Sequence, residues 1–155
     1  MNKSKKLLTI LLTVALVLSL MPAAFAREEC PSAAYTDVKT SMYYHDGVDY
    51  MLKNGFMSGT SAAAFSPDAT LSRGMVVTVL YSMAGKPAVT AKNAFKDVKD
   101  GAWYAAAATW AVSAGVAKGN PDGTFDPNAD VTRQQLACFL DAYAADGIKP
   151  LGERA

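Results

Sequence analysis

The sequence predicts a mostly α-helical fold, in which two tandem helix–loop–helix repeats form one pseudo-symmetric helical domain. Two observations carry that prediction. Residues 35–80 overlay residues 95–140 without a gap, at a constant offset of 60. Each copy also places apolar residues at helical spacing and closes the run with a glycine.

The overlay is ordered. Asp37-Val38-Lys39 falls on Asp97-Val98-Lys99 and Tyr44 on Tyr104. Gly55, Gly59, Phe65, Pro67, Ala69, Arg73 and Leu80 fall on Gly115, Gly119, Phe125, Pro127, Ala129, Arg133 and Leu140. Similar pairs lie between them, such as Tyr43 with Trp103 and Ser72 with Thr132.

Taken from the N-terminus, Lys3, Lys5 and Lys6 precede an apolar run from Leu7 to Leu20, then Pro22 and Ala24-Phe25-Ala26. That order is a secretory leader over residues 1–26, with cleavage after Ala26; an uncleaved anchor is the alternative, but the run is short of the ~20 residues a spanning helix needs. Residues 27–34 form a short polar tail. The first repeat is 35–85, a connector containing Pro87 covers 86–94, the second repeat is 95–147, and 148–155 is a second tail.

In the first repeat Tyr44, Val48, Met51 and Leu52 mark one helical face that Gly55 ends. Its second helix has Ser72 as cap and a stripe of Val76, Val79, Leu80 and Met83, closed by Gly85. In the second repeat Trp103, Ala107, Trp110, Ala111 and Ala114 form the corresponding face before Gly115. The turn-rich loop Gly119-Asn120-Pro121-Asp122-Gly123-Thr124-Phe125 comes next, with Phe125 as its apolar plug. Thr132-Arg133-Gln134-Gln135 fits a capping box that opens a helix striped by Leu136, Phe139, Leu140 and Tyr143.

Charge and composition exclude several functions. The chain has 15 basic and 14 acidic side chains; without the three leader lysines, 12 face 14, a net charge near −2. Nucleic acid and anionic lipid are therefore not partners, and no segment after the leader is suited to a membrane. The one histidine, His45, has no metal-ligand spacing. Laid on a calcium-loop template, Lys118 and Ala129 stand where the first and last acidic ligands belong, so no metal is expected there. No cofactor and no catalytic residue is expected. Cys138 falls on the apolar side of its helix and reads as a buried thiol, a disulfide with Cys30 being the alternative after export.

Phe95-Lys96-Asp97-Val98, Trp103-Tyr104, Gly115, Gly119, Asp122-Gly123-Thr124-Phe125, Pro127 and Thr132-Arg133-Gln134-Gln135 together resemble the S-layer homology (SLH) domain. Its repeat runs roughly F-x-D-V, W-Y, G, G-x-x-D-G-T-F-x-P and T-R-A-E. The resemblance implies a non-enzymatic anchor at the cell wall, the partner being an anionic, often pyruvylated, secondary polysaccharide linked to peptidoglycan. It implies grooves between adjacent repeats, with the arginine of T-R-A-E facing the acidic group: Arg133 here, and Arg73 in the first repeat. Three features depart from the family's pattern. Two repeats are present where three are usual, Gln135 and Met75 replace the acidic fourth residue, and Ala62-Ala63-Ala64 replaces Asp-Gly-Thr. The second repeat is therefore expected to keep binding better than the first.

Each candidate has a second reading. Arg133 and Arg73 are ligand groups or surface arginines paired with carboxylates. Trp103 is a sugar platform or a core aromatic. Asp97 and Asp37 contact sugar or cap the nearby helix. Lys118, beside Gly119, is a second positive charge on the groove or a plain surface lysine, and Gln135 belongs to the groove and to the capping box. For the whole chain, the alternative to a wall anchor is an assembly module. Two repeats leave an apolar face for a second molecule of this chain, or another SLH-bearing surface protein, to cover.

Overall fold

Each repeat folds as helix, loop, helix, and the helices start and stop where local chemistry dictates. The computed structural model describes residues 30–145. The helices are α1 (His45–Lys53), α2 (Arg73–Met83), α3 (Ala105–Ser113) and α4 (Arg133–Ala145). Among the described residues the only extended pairing is an isolated antiparallel bridge between Ser72 and Asp130. The leader expected at 1–26 and the tail expected at 148–155 lie outside those residues. Of the tail expected at 27–34, Pro31–Ala34 is instead a 3-10 turn packed on α1. It is tied there because the buried Ser32 donates its N–H to Asp49 Oδ1 at 2.8 Å.

The second helix of each repeat is capped as its sequence predicts. Ser72 Oγ accepts from Met75 N–H at 3.3 Å. In the second repeat the box is reciprocal, with Thr132 N–H donating to Gln135 Oε1 at 2.9 Å and Gln135 N–H to Thr132 Oγ1 at 3.3 Å. The first helices have no side-chain cap at Tyr44 or Tyr104. Both end on a glycine in the left-handed region, Gly55 at φ 66° and Gly115 at φ 73°, which reverses the chain at little steric cost.

The core is where α2 meets α3. Val76, Val77 and Leu80 of α2 pack with Ala107, Ala108, Trp110 and Ala111 of α3, and Val98, Val116, Phe125, Phe139 and Tyr143 close around them. The small side chains of α3 let the two helices approach closely, and Trp110 lies 5.4 Å from the Tyr81 ring. Full burial of one aliphatic side chain of the Val77 kind contributes about 1.5–3 kcal/mol.

Three expectations for the second repeat are corrected. Trp103 precedes α3 and is 61% exposed, so it does not extend the buried face. Of the α4 stripe, Phe139 and Tyr143 are buried and Leu136 half-buried, whereas Leu140 is 48% exposed. Cys138 is an exposed free thiol. One reason covers both α4 residues: no further repeat among the described residues packs on this helix as the second repeat packs on α2.

Candidate functional site

The site forms where the start of α2 enters the second repeat. Arg73 and Gly74 donate their backbone N–H groups to Ala129 O at 2.9 Å and Pro127 O at 2.8 Å. Gly74 suits that approach, because a Cβ there would lie 3.0 Å from Pro127 O and 3.3 Å from Tyr104 Cγ. The backbone contact carries the Arg73 side chain inward. Its Nε donates to Phe125 O at 2.8 Å and its Nη2 to Lys118 O at 3.0 Å. The guanidinium lies 4.7 Å from the centre of the Phe125 ring and 5.3 Å from that of Phe139.

Arg73 is thus a buried cation, 9% exposed, and the described residues place no carboxylate within ion-pair reach of it. Burial pulls its pKa below the ordinary arginine value, while Asp126 and Asp97 act in the opposite sense. It forms one wall of an open cleft of about 260 Å³, with Lys118, Gln134, Gln135, Cys138 and Phe139 among the other lining residues. Two guanidinium donors are committed to carbonyls. A guanidinium has five, so donor capacity remains for a ligand in the cleft.

The loop that supplies those carbonyls is fixed by a carboxylate. Asp97 accepts from Phe125 N–H at 2.8 Å and Asp126 N–H at 2.7 Å. Asp37 does the same in the first repeat, accepting from Phe65 N–H at 2.9 Å and Ser66 N–H at 2.7 Å. Those bonds lower the Asp37 pKa. The residues just after the anchored aromatics adopt left-handed backbone without being glycine, Ser66 at φ 60° and Asp126 at φ 54°. The helix-capping reading of both aspartates is therefore corrected: they clamp a loop 28 and 29 residues downstream instead.

The remaining candidates divide cleanly. Arg73, Lys118 and Gln135 meet at the cleft. Arg133 is an exposed first residue of α4 outside it, and Trp103 stands apart, edge-on to Tyr104 at 5.1 Å. Gly119 is a packing residue, since a Cβ there would fall 2.3 Å from Phe95 Cε1. Asp37 belongs to the first-repeat clamp. Sequence reasoning missed Gln134, Cys138 and Phe139. A signal existed, because Gln134, Cys138 and Ala142 recur every fourth residue along one face of α4.

Comparison with known proteins agrees with this architecture. The profile of the S-layer homology domain matches residues 34–74 and 94–137. A cell surface protein of Thermoanaerobacter kivui is 31% identical over 156 residues, covering 97% of this chain and 20% of its own length. A surface-layer 125 kDa protein of Lysinibacillus sphaericus is 33% identical over 157 residues, covering 99% and 13%. An endoglucanase of Bacillus sp. (strain KSM-635) is 33% identical over 139 residues, covering 87% and 15%. The chain spans a fifth or less of the length of these relatives. With both repeats matched and the helical architecture in place, the chain belongs to the S-layer homology domain family of cell-surface proteins.

Proposed function

We propose that this chain is a non-catalytic module that holds to an anionic secondary cell-wall polysaccharide at the cleft between its repeats. One observation carries the reading: a buried arginine, with no carboxylate in ion-pair reach among the described residues, walls a cleft open to solvent. A buried charge is costly unless paired. An acidic substituent on a sugar would supply a direct ion pair, which Asp126 and Asp97 do not make, and take up the remaining guanidinium donors in a charge-assisted contact. Lys118 adds a second cation at the rim, and the Gln134 and Gln135 amides offer donors and acceptors to hydroxyl groups. The cleft is smaller than the ~300–1,000 Å³ of sites that enclose a drug-sized ligand, so it suits one acidic residue of a polymer lying across it.

In this reading the arginine of the first repeat serves the loop of the second, and Arg133 stands outside. The test is co-sedimentation with cell-wall sacculi, before and after their secondary polymer is stripped. Lys118→Glu and Gln134→Glu place a negative charge at the cleft without touching the core. Each is expected to weaken polymer-dependent binding by about tenfold, while Arg133→Ala leaves it unchanged. Equal binding to stripped and native wall, or indifference to both cleft substitutions, would sink the proposal.

A further inference from the structure

The contact between the two repeats is directional: one side donates and the other accepts. The donors are Arg73 N–H, Gly74 N–H and the Arg73 guanidinium at the start of α2. The acceptors are the carbonyls of Lys118, Phe125, Pro127 and Ala129, and Val131 N–H returns one bond to Leu71 O at 3.0 Å. Moved by the repeat offset of 60, the same groups reappear at the start of α4 and in the loop of the first repeat. The donors become Arg133 N–H, Gln134 N–H and the Arg133 guanidinium. The acceptors become the carbonyls of Ser58, Phe65, Pro67 and Ala69, and the returned bond would run from Leu71 N–H to Val131 O. None of these groups has a hydrogen-bond partner among the described residues.

Burial shows the same division. Phe125 and Pro127 are buried beneath α2, while Phe65 and Pro67 are only half-buried. Leu80 is 2% exposed and its counterpart Leu140 48%. Among the described residues, the start of α4 is therefore an unmatched donor surface and the Ser58–Leu71 loop an unmatched acceptor surface, both shaped like a contact the chain already makes internally.

We propose that the start of α4 and the Ser58–Leu71 loop form a head-to-tail contact between molecules of this chain, with Arg133 of one seated against the loop of the next. Such a contact is heterologous, each molecule contributing a different surface. One residue departs from the internal pattern. Gln134 stands where α2 has Gly74, at the point where even a Cβ comes within 3.0 Å of a carbonyl oxygen. The contact between molecules is accordingly looser than the one within, and reversible.

That misfit gives the proposal a gain-of-function test. Sedimentation velocity of the chain, collected from a secreting bacterial host, is run over a concentration series. Association is expected at concentrations of about 10–100 µM. Arg133→Ala should abolish it, and Gln134→Gly should shift it to about tenfold lower concentration. Both positions are exposed, so circular dichroism should report unchanged folding. A monomer up to about 1 mM, or an oligomer indifferent to Arg133→Ala, overturns the proposal. A Gln134→Gly chain that associates no better overturns the register assigned to the contact.

Discussion

α2 and α4 occupy the same position in their repeats and start with the same capping logic, yet they live in different surroundings. α2 buries Arg73, Gly74, Val76, Val77, Leu80 and Ser82; α4 buries only Phe139 and Tyr143. The difference lies in the neighbour each helix has. α2 has the second repeat to pack against, and among the described residues α4 has no such unit. In a repeat array the burial of a side chain depends on the neighbouring unit as much as on its own helix.

The sharpest way to break the comparison is to truncate the paired leucines. Leu80→Ala is expected to cost about 2–5 kcal/mol in urea unfolding, and Leu140→Ala less than about 1 kcal/mol. Similar losses at both sites would mean that α4 is covered in solution. Next in size is Gly74→Gln, which writes the residue of the second repeat into the first. The added side chain meets Pro127 O and the Tyr104 ring, so a loss of about 1–3 kcal/mol is expected, against none for the exposed Gln134→Ala. An unchanged urea midpoint for Gly74→Gln would show that the contact between repeats is less close than the distances imply.

The smallest effect is on pH dependence. The backbone N–H groups of Phe65 and Ser66 hold the Asp37 carboxyl below its ordinary 3.8. A depressed folded-state pKa gives stability that is present above the unfolded value and lost as pH falls through the folded one. Asp37→Asn should therefore flatten the loss of stability between about pH 5 and about pH 2. Urea midpoints along that range would check it, and parallel curves for the two proteins would remove Asp37 from the account of acid sensitivity.

Much of this architecture was legible in the residues. The 60-residue offset, the Ser72 cap, the Thr132 box, the glycine stops and the Phe125 plug are local or periodic, and local chemistry decides them. Leu140 and Cys138 were misplaced because a helical stripe marks an apolar face without showing that anything covers it. Asp37 and Asp97 were misread because a carboxylate before a helix looks the same whether it caps that helix or reaches a loop far along the chain. The cleft combines an arginine from one repeat with a loop and a helix from the other. Matching motifs repeat by repeat could not show that arrangement, because the pairing across repeats is visible only in three dimensions.

The two kinds of tether in this molecule also differ in how long the chain must wait for them. Each aspartate clamp closes within a single repeat and spans 28 or 29 residues, so the first needs only the chain as far as Ser66 to be free to fold. The Arg73 contacts reach 45 and 52 residues ahead, to Lys118 and Phe125. Short closures form before long ones for entropic reasons. The first repeat can thus take its shape before the second, and its arginine stays in water until the loop that receives it has been clamped.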